Sequence, residues 1–379
     1  MKTIFDITID LEKSFGSVLC DAKTGKEYLD LFNMYSSLPL GYNHPIFDEE
    51  FERKASQLAK IRVSNNAFKT KIMDEFLEEF TPFFRHPNFH FSCTGALAVE
   101  SGLKCAMEYK KVENPIVLGV KKGFHGINSW GFVTDRYLNT GKRMEFFPKN
   151  NWLNLDLMDL ANFIQDDQQN RVVAVIVEPI QCTAGDIYLD ADLLRQLQDA
   201  CRERDICFIV DEIQTGFGTT GSMWYSEKIG LDPDIIVFGK KSQICGISVA
   251  DKYKEAITHE ALKLGVTFDG ELMDALRATY ILKAMKQDGL LGRAAEVGKI
   301  FEEKIADRVQ NFRGEGLLAA FDFETKALRD SFLAGCLQNN ILCNSGGEKS
   351  VRLRPNFAIT KADISRFVAV FDEVYSSLD

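Results

Sequence analysis

The run from Cys207 to Gly246, CFIVDEIQTGFGTTGSMWYSEKIGLDPDIIVFGKKSQICG, most constrains what this chain can fold into. Cys207 to Val210 and Ile235 to Phe238 are short apolar segments bounded by turn residues, the pattern of strands buried on both faces in a parallel sheet. The first ends in Asp211 and Glu212, the second in Gly239, Lys240 and Lys241. In an open α/β sheet, ligands bind beyond the carboxyl ends of the strands, so Asp211 and Lys240 can face one ligand. A separation of 29 residues (240 minus 211) suits one strand, a crossover and the next strand.

A carboxylate and an amine across such a crevice match the needs of pyridoxal phosphate. The amine attaches covalently to the aldehyde, and the carboxylate keeps the ring nitrogen protonated. Two plainer readings stay open at this point. A lysine after a strand is commonly a solvated loop residue, and an Asp-Glu pair commonly caps a following helix.

Four segments, TGALAVESGLK (Thr94 to Lys104), VEPIQ (Val177 to Gln181), VDEIQTGFGTTG (Val210 to Gly221) and PDIIVFGKK (Pro233 to Lys241), resemble the motifs of the class III, fold-type I pyridoxal-phosphate aminotransferases. Within that family FGKKSQICG, GALAVE and VRLRP (Val351 to Pro355) are most similar to the lysine 6-aminotransferases. The likeness runs in consistent order from about Leu31 to the C-terminus. It implies an α/β fold, with a large domain built on a mostly parallel seven-stranded sheet flanked by helices and a small α/β C-terminal domain. The expected division is 1–45 for an N-terminal arm and small-domain segment, 46–275 for the cofactor domain and 276–379 for the small domain.

The resemblance also implies roles. Lys240 would hold the cofactor and shuttle the proton, with Lys241 as the fallback. Asp211 would pair with the ring nitrogen, Phe124 would stack on the ring, and Gln214 would hydrogen-bond its phenolic oxygen. Gly95 and Ala96 would offer backbone amides to the phosphate, since a small-residue turn opening a helix is a natural anion cup. Thr267, in LGVTFDGE, would reach the phosphate of a partner subunit, which makes the expected unit a homodimer with shared sites. Arg354 would bind the substrate carboxylate, with Arg352 beside it on an alternating strand. Glu178 is expected in a supporting position, and His125 is a weaker candidate beside the cofactor. Taken alone, Phe124 reads as core, and Arg354 reads equally as a salt-bridge partner.

Two departures touch substrate choice. The gate glutamate that follows EPIQ in lysine 6-aminotransferases is replaced within Cys182-Thr183-Ala184-Gly185, at Thr183. The arginine after FHG is Ile127. The expected reaction is ping-pong transfer of an amino group from a lysine-like terminal amine, or another amino donor, to 2-oxoglutarate as the 2-oxo acid acceptor. An aminomutase, decarboxylase or epimerase on the same fold is the alternative. Gly216-x-Gly218-x-x-Gly221 fits the dinucleotide fingerprint literally. However, Glu212 to Thr215 intervene after the strand, and no acidic residue ends the next one, so the glycines read as turns of a mobile loop.

A net charge of −10 argues against a nucleic-acid partner. The apolar run Val172 to Val177 is too short to span a bilayer, and the acidic residues near Met1 argue against a secretory signal. Nine cysteines without a CxxC pair read as reduced packing residues and not as a zinc site. Together these give a cytoplasmic expectation with no membrane partner and no metal.

Overall fold

The computed structural model describes residues 3–64, 68–128, 151–258 and 264–378. The chain divides into two compact units, one of residues 53–217 and 222–283, the other of 1–52, 218–221 and 284–379.

The first unit is built on seven strands: β1 (Asn88–Ser92), β2 (Ile116–Val120), β3 (Trp152–Leu155), β4 (Val172–Val177), β5 (Cys207–Asp211), β6 (Ile235–Phe238) and β7 (Cys245–Val249). They lie in the order β1-β7-β6-β5-β4-β2-β3, and β7 is antiparallel to both its neighbours while the other pairs are parallel. This is the expected α/β, mostly parallel seven-stranded sheet.

Alternate residues of the strands feed two separate cores, as the two-residue period of a pleated strand requires. Ala174, Ile176, Cys207, Ile209, Ile235 and Val237 pack on one face with Val99, Leu103 and Ala106 of helix Gly95–Lys110. Val175, Val177, Phe208 and Val210 pack on the other with Leu160 and Ile164 of helix Leu157–Asp166 and with Leu194 and Leu197 of helix Ala191–Glu203. Because both faces are covered, β4 is buried at all six positions, and it reads as an unbroken apolar run. Beside β1, Phe76, Phe80, Phe84, Phe89, Phe91, Phe217, Trp224 and Phe238 form a network of edge-on and tilted rings.

The second unit holds a four-stranded antiparallel sheet in the order Gln310–Glu315, Leu318–Asp322, Ser350–Leu353, Asn344–Gly346. Helices Leu290–Ile305, Lys326–Gln338 and Lys361–Ser376 accompany it. Phe301, Phe321, Phe332, Phe367 and Phe371 are buried among them. The N-terminal arm is a hairpin, Val18–Cys20 against Glu27–Asp30, extended in parallel by Ile341–Leu342.

The segment from Trp152 begins as edge strand β3, and its helix starts only at Leu157. Strand β7 follows the lysine turn and pairs with β6. One expectation is corrected. The glycine loop is not mobile surface: Thr219 and Thr220 are fully buried, Gly218 and Gly221 have φ of +80° and +85°, and a Cβ on Gly216 would lie 2.5 Å from the Trp224 ring. The positive angles explain Gly218 and Gly221 as turn residues, while the Trp224 ring leaves no room for a side chain at Gly216.

None of the nine cysteines is joined in a disulfide. Among the described residues no helix is long and apolar enough to cross a membrane, and no group of three or more His, Cys, Asp or Glu side chains is placed to hold a metal.

Candidate active site

Adjacent parallel strands β5 and β6 bring Asp211 and Lys240 to one edge of the sheet. Asp211 pairs in register with Val237, three residues before Lys240, and the Glu212 N–H is bonded to the Val237 carbonyl at 2.9 Å. Lys240 follows an extended Gly239 (φ 173°) and opens a single 3-10 turn in the left-handed region, at φ 52°. For a residue with a Cβ that conformation costs about 1–2 kcal/mol. Strained backbone of this kind clusters at functional sites, and its neighbours must hold it there. The Gln243 backbone N–H and side-chain amide both donate to the Lys240 carbonyl, at 2.9 and 3.2 Å. Lys240 is half-buried, whereas Lys241 is 1% exposed.

Asp211 is buried within a network of ionisable groups. Its Oδ2 lies 2.8 Å from His125 Nδ1, and its Oδ1 accepts the Ile213 N–H at 3.1 Å. Glu178, at the carboxyl end of β4, accepts the Phe124 N–H at 2.7 Å. Burial pushes the Glu178 carboxyl up to about 7; Asp211 adds to the rise, and His125 and Lys240 oppose it. The Lys240 amine is therefore close enough for its charge to act on the cluster that contains Asp211. The His125 ring also stacks beside Trp152, at 5.8 Å between centroids. Sequence reasoning ranked His125 low, because a single histidine carries little signal without its spatial partner.

The anion cup is present as local geometry. Thr94 caps helix Gly95–Lys110, its hydroxyl accepting the Leu97 N–H. The first-turn amides of Gly95 and Ala96 have no intrahelical acceptor and sit at the positive end of the helix dipole. A Cβ on Gly126 (φ +102°) would lie 2.7 Å from the Ala96 Cβ, and one on Gly95 would lie 2.8 Å from Ile213 Cδ1. Both glycines keep the cup open. Ile213 was missed from the sequence: its side chain lies near Gly95 and also 3.6 Å from where a Cβ on Gly239 would stand, so it lines the space between the cup and the lysine turn. An amine, a buried carboxylate and helix-terminal amides grouped around that space fit the aldehyde, ring nitrogen and phosphate of pyridoxal phosphate.

The other candidates are placed as follows. Phe124 and Gln214 are half-buried, and Thr267 is exposed on a turn, its carbonyl accepting the Ser64 hydroxyl at 2.8 Å. In the second unit Arg354 is 1% exposed and donates to the Leu353 and Ala319 carbonyls at 3.0 and 3.4 Å. Arg352 is buried too, its Nε donating to the Ser345 carbonyl. Ser350–Leu353 is buried at every position, so the alternation of Arg352 and Arg354 does not mark a solvent-facing edge. Thr183 is half-buried in the turn joining Ile180–Gln181 to Ile187–Tyr188, and Ile127 is 64% exposed.

A mostly parallel seven-stranded sheet with an aspartate and a lysine at neighbouring strand ends is the plan of a fold-type I pyridoxal-phosphate enzyme. The chain belongs to the class III aminotransferases, whose family model, Aminotransferase class-III, matches residues 3–375. It is 30% identical to the L-lysine-epsilon aminotransferase of Mycobacterium tuberculosis over 96% of this chain and 90% of that protein. It is 28% identical to a probable mitochondrial 4-aminobutyrate aminotransferase of Caenorhabditis elegans, over 98% and 88%. Its structure is similar to that of the M. tuberculosis lysine aminotransferase in the internal aldimine form, with a TM-score of 0.94 and 29% identity over 100% of this chain and 97% of that one. The protein is thus an aminotransferase that uses pyridoxal phosphate.

The raised Glu178 pKa gives a stability prediction for the cofactor-free protein. A carboxyl held above its ordinary 4.5 contributes stability that is complete below that value and lost as pH rises through about 7. The loss is about 3 kcal/mol by the linkage relation. Glu178→Gln keeps an acceptor for the Phe124 N–H but cannot ionise. Its urea midpoint should match wild type near pH 4 and exceed it near pH 8. Equal midpoints at both pH values would show that Glu178 does not carry the proton.

Proposed function

We propose that this enzyme moves the terminal amino group of a lysine-like donor to 2-oxoglutarate by a ping-pong reaction, as a cytoplasmic homodimer whose sites are shared between subunits. The observation carrying this reading is the grouping of Glu178, Asp211 and Lys240 at the ends of β4, β5 and β6 with His125 from the loop after β2, next to the Gly95–Ala96 cup. The lysine-epsilon aminotransferase relatives support the terminal amine. Nine cysteines outside any disulfide, mostly buried, suit a reducing compartment.

Pyridoxal phosphate supplies the carbonyl that takes up the amino group and an electron-accepting ring. Lys240 anchors it and then, as a free amine, carries the proton between the donor carbon and the cofactor as general base and acid. Asp211 holds the proton on the ring nitrogen, while His125 occupies its other oxygen and orients it. Phe124 covers a ring face, Gln214 binds the phenolic oxygen, and Gly95 and Ala96 bind the phosphate together with Thr267 of a second copy. Arg354 binds the carboxylate of the donor and then of the acceptor. Thr183 stands where relatives carry a gate glutamate and has no carboxylate to offer.

Glutamate formation from 2-oxoglutarate is the test, with L-lysine, ornithine and 4-aminobutyrate as donors. Parallel double-reciprocal lines are expected, with L-lysine the best donor. Failure of all three terminal amines to yield glutamate would sink this reading. Arg354→Met should raise the KM for 2-oxoglutarate about 10- to 100-fold, the worth of a charge-assisted hydrogen-bond pair, with a smaller change in kcat. An unchanged KM would leave Arg354 a structural residue.

A further inference from the structure

We propose that Asp269, assisted by Ser64, is a positioning residue that ties the Thr267 turn to the phosphate cup, so that cofactor retention in the neighbouring subunit depends on a carboxylate with no contact to the cofactor. The proposal rests on the reading of Thr267 given above.

Asp269 is 5% exposed and has no cationic partner at hydrogen-bonding distance among the described residues. Backbone amides occupy it from two directions. Its Oδ2 accepts the Val266 N–H at 2.7 Å, and its own N–H is bonded to the Val266 carbonyl at 3.1 Å, which closes the turn carrying Thr267 and Phe268. Its Oδ1 accepts the Cys93 N–H at 3.0 Å and lies 3.4 Å from the Cys93 sulfur. Cys93 immediately precedes Thr94, the cap of the helix whose first residues form the cup. One carboxylate thus bonds the start of the turn to the residue leading into the cup.

Other contacts fix the same turn. The Ser64 hydroxyl donates to the Thr267 carbonyl at 2.8 Å, and the Arg62 guanidinium lies 3.8 Å over the Phe268 ring. His90 Nε2 is 3.7 Å from Asp269 with no hydrogen-bond partner, and burial lowers its pKa, so the ring stays neutral. The carboxylate is therefore balanced by the two backbone amides. Burying a charge is tolerated when hydrogen bonds replace its hydration, and here those bonds leave Thr267 exposed at the tip. A turn that met nothing would not need a buried charge to hold its shape.

The substitution Asp269→Asn leaves one acceptor where two amides converge, so either Val266 or Cys93 loses its bond. Holoenzyme is diluted and release of pyridoxal phosphate is followed by fluorescence. Asp269→Asn and Thr267→Ala should each release it about tenfold faster, the worth of one hydrogen bond to a charged group. The double variant should be no faster than Thr267→Ala alone, because both act on one path. Ser64→Ala, a milder change, should raise release severalfold even if Asp269→Asn folds poorly.

Normal retention in Thr267→Ala would overturn the phosphate reading and the latch with it. Fast release in Thr267→Ala with normal retention in Asp269→Asn or Ser64→Ala would overturn the latch alone. Additive effects in the double variant would do the same. The thermal midpoint of the cofactor-free protein separates a latch from a general loss of fold: a latch predicts faster release at a nearly unchanged midpoint.

Discussion

Lys240→Ala is expected to fold, to bind pyridoxal phosphate without a borohydride-reducible link to the chain, and to lose at least about 10⁴-fold in transamination, the upper range for removing a general acid-base group. On the proposed reading the size follows from two duties on one side chain: attaching the cofactor and carrying the proton. The fold should survive because the lysine turn is held by other groups. Gln243 bonds the Lys240 carbonyl twice, and the Ser242 hydroxyl donates to the Ile244 carbonyl at 2.6 Å. Lys241→Ala is the necessary control, since two lysines are adjacent. Lys241 is among the largest fully buried side chains, so its truncation should lower stability, but the peptide labelled by borohydride should still carry Lys240. Label on Lys241 in the wild-type enzyme would reverse the assignment.

How much of this was legible in the sequence depended on whether the signal was local. Strands β4, β5 and β6 announced themselves because burial on both faces makes each an unbroken apolar run, and their ends place Asp211 and Lys240. The cup was legible because a Thr cap and two small residues open a helix with an apolar stripe. Strand β3 was not, because four residues at a sheet edge have too few positions for a period to show, and its partner β2 lies more than thirty residues back in sequence. The same limit hid Ile213 and left His125 a weak candidate, since the interest of both comes from what they meet in space. The Gly216–Gly221 loop misled in the other direction. Glycines normally mark exposed turns, whereas here two of them take positive φ beside the fully buried Thr219 and Thr220. Asp269 carries no signal in the sequence, because its place comes from the two backbone amides it accepts from.

Asp211→Asn is expected to lower kcat by about 10³-fold with little change in donor KM, the scale seen when one preorganised electrostatic contact is lost. The change is nearly isosteric and its hydrogen bonds can be kept. The asparagine oxygen can accept the Ile213 N–H in place of Oδ1, and its amide can donate to His125 Nδ1 once that ring carries its proton on Nε2. On the proposed reading, what disappears is the negative charge that would hold a proton on the ring nitrogen, so the loss falls on the chemical step and spares binding. Two companion variants separate charge from packing. Asp211→Glu keeps the charge but moves it by a methylene, and should lie between wild type and Asn. His125→Ala keeps the carboxylate but removes its anchor, and should cost about 10-fold or more through misorientation alone. Were Asp211→Asn to retain wild-type kcat, or to lose activity only through a raised KM, the carboxylate would be holding the substrate or the fold, and electronic support of the cofactor would have to come from elsewhere.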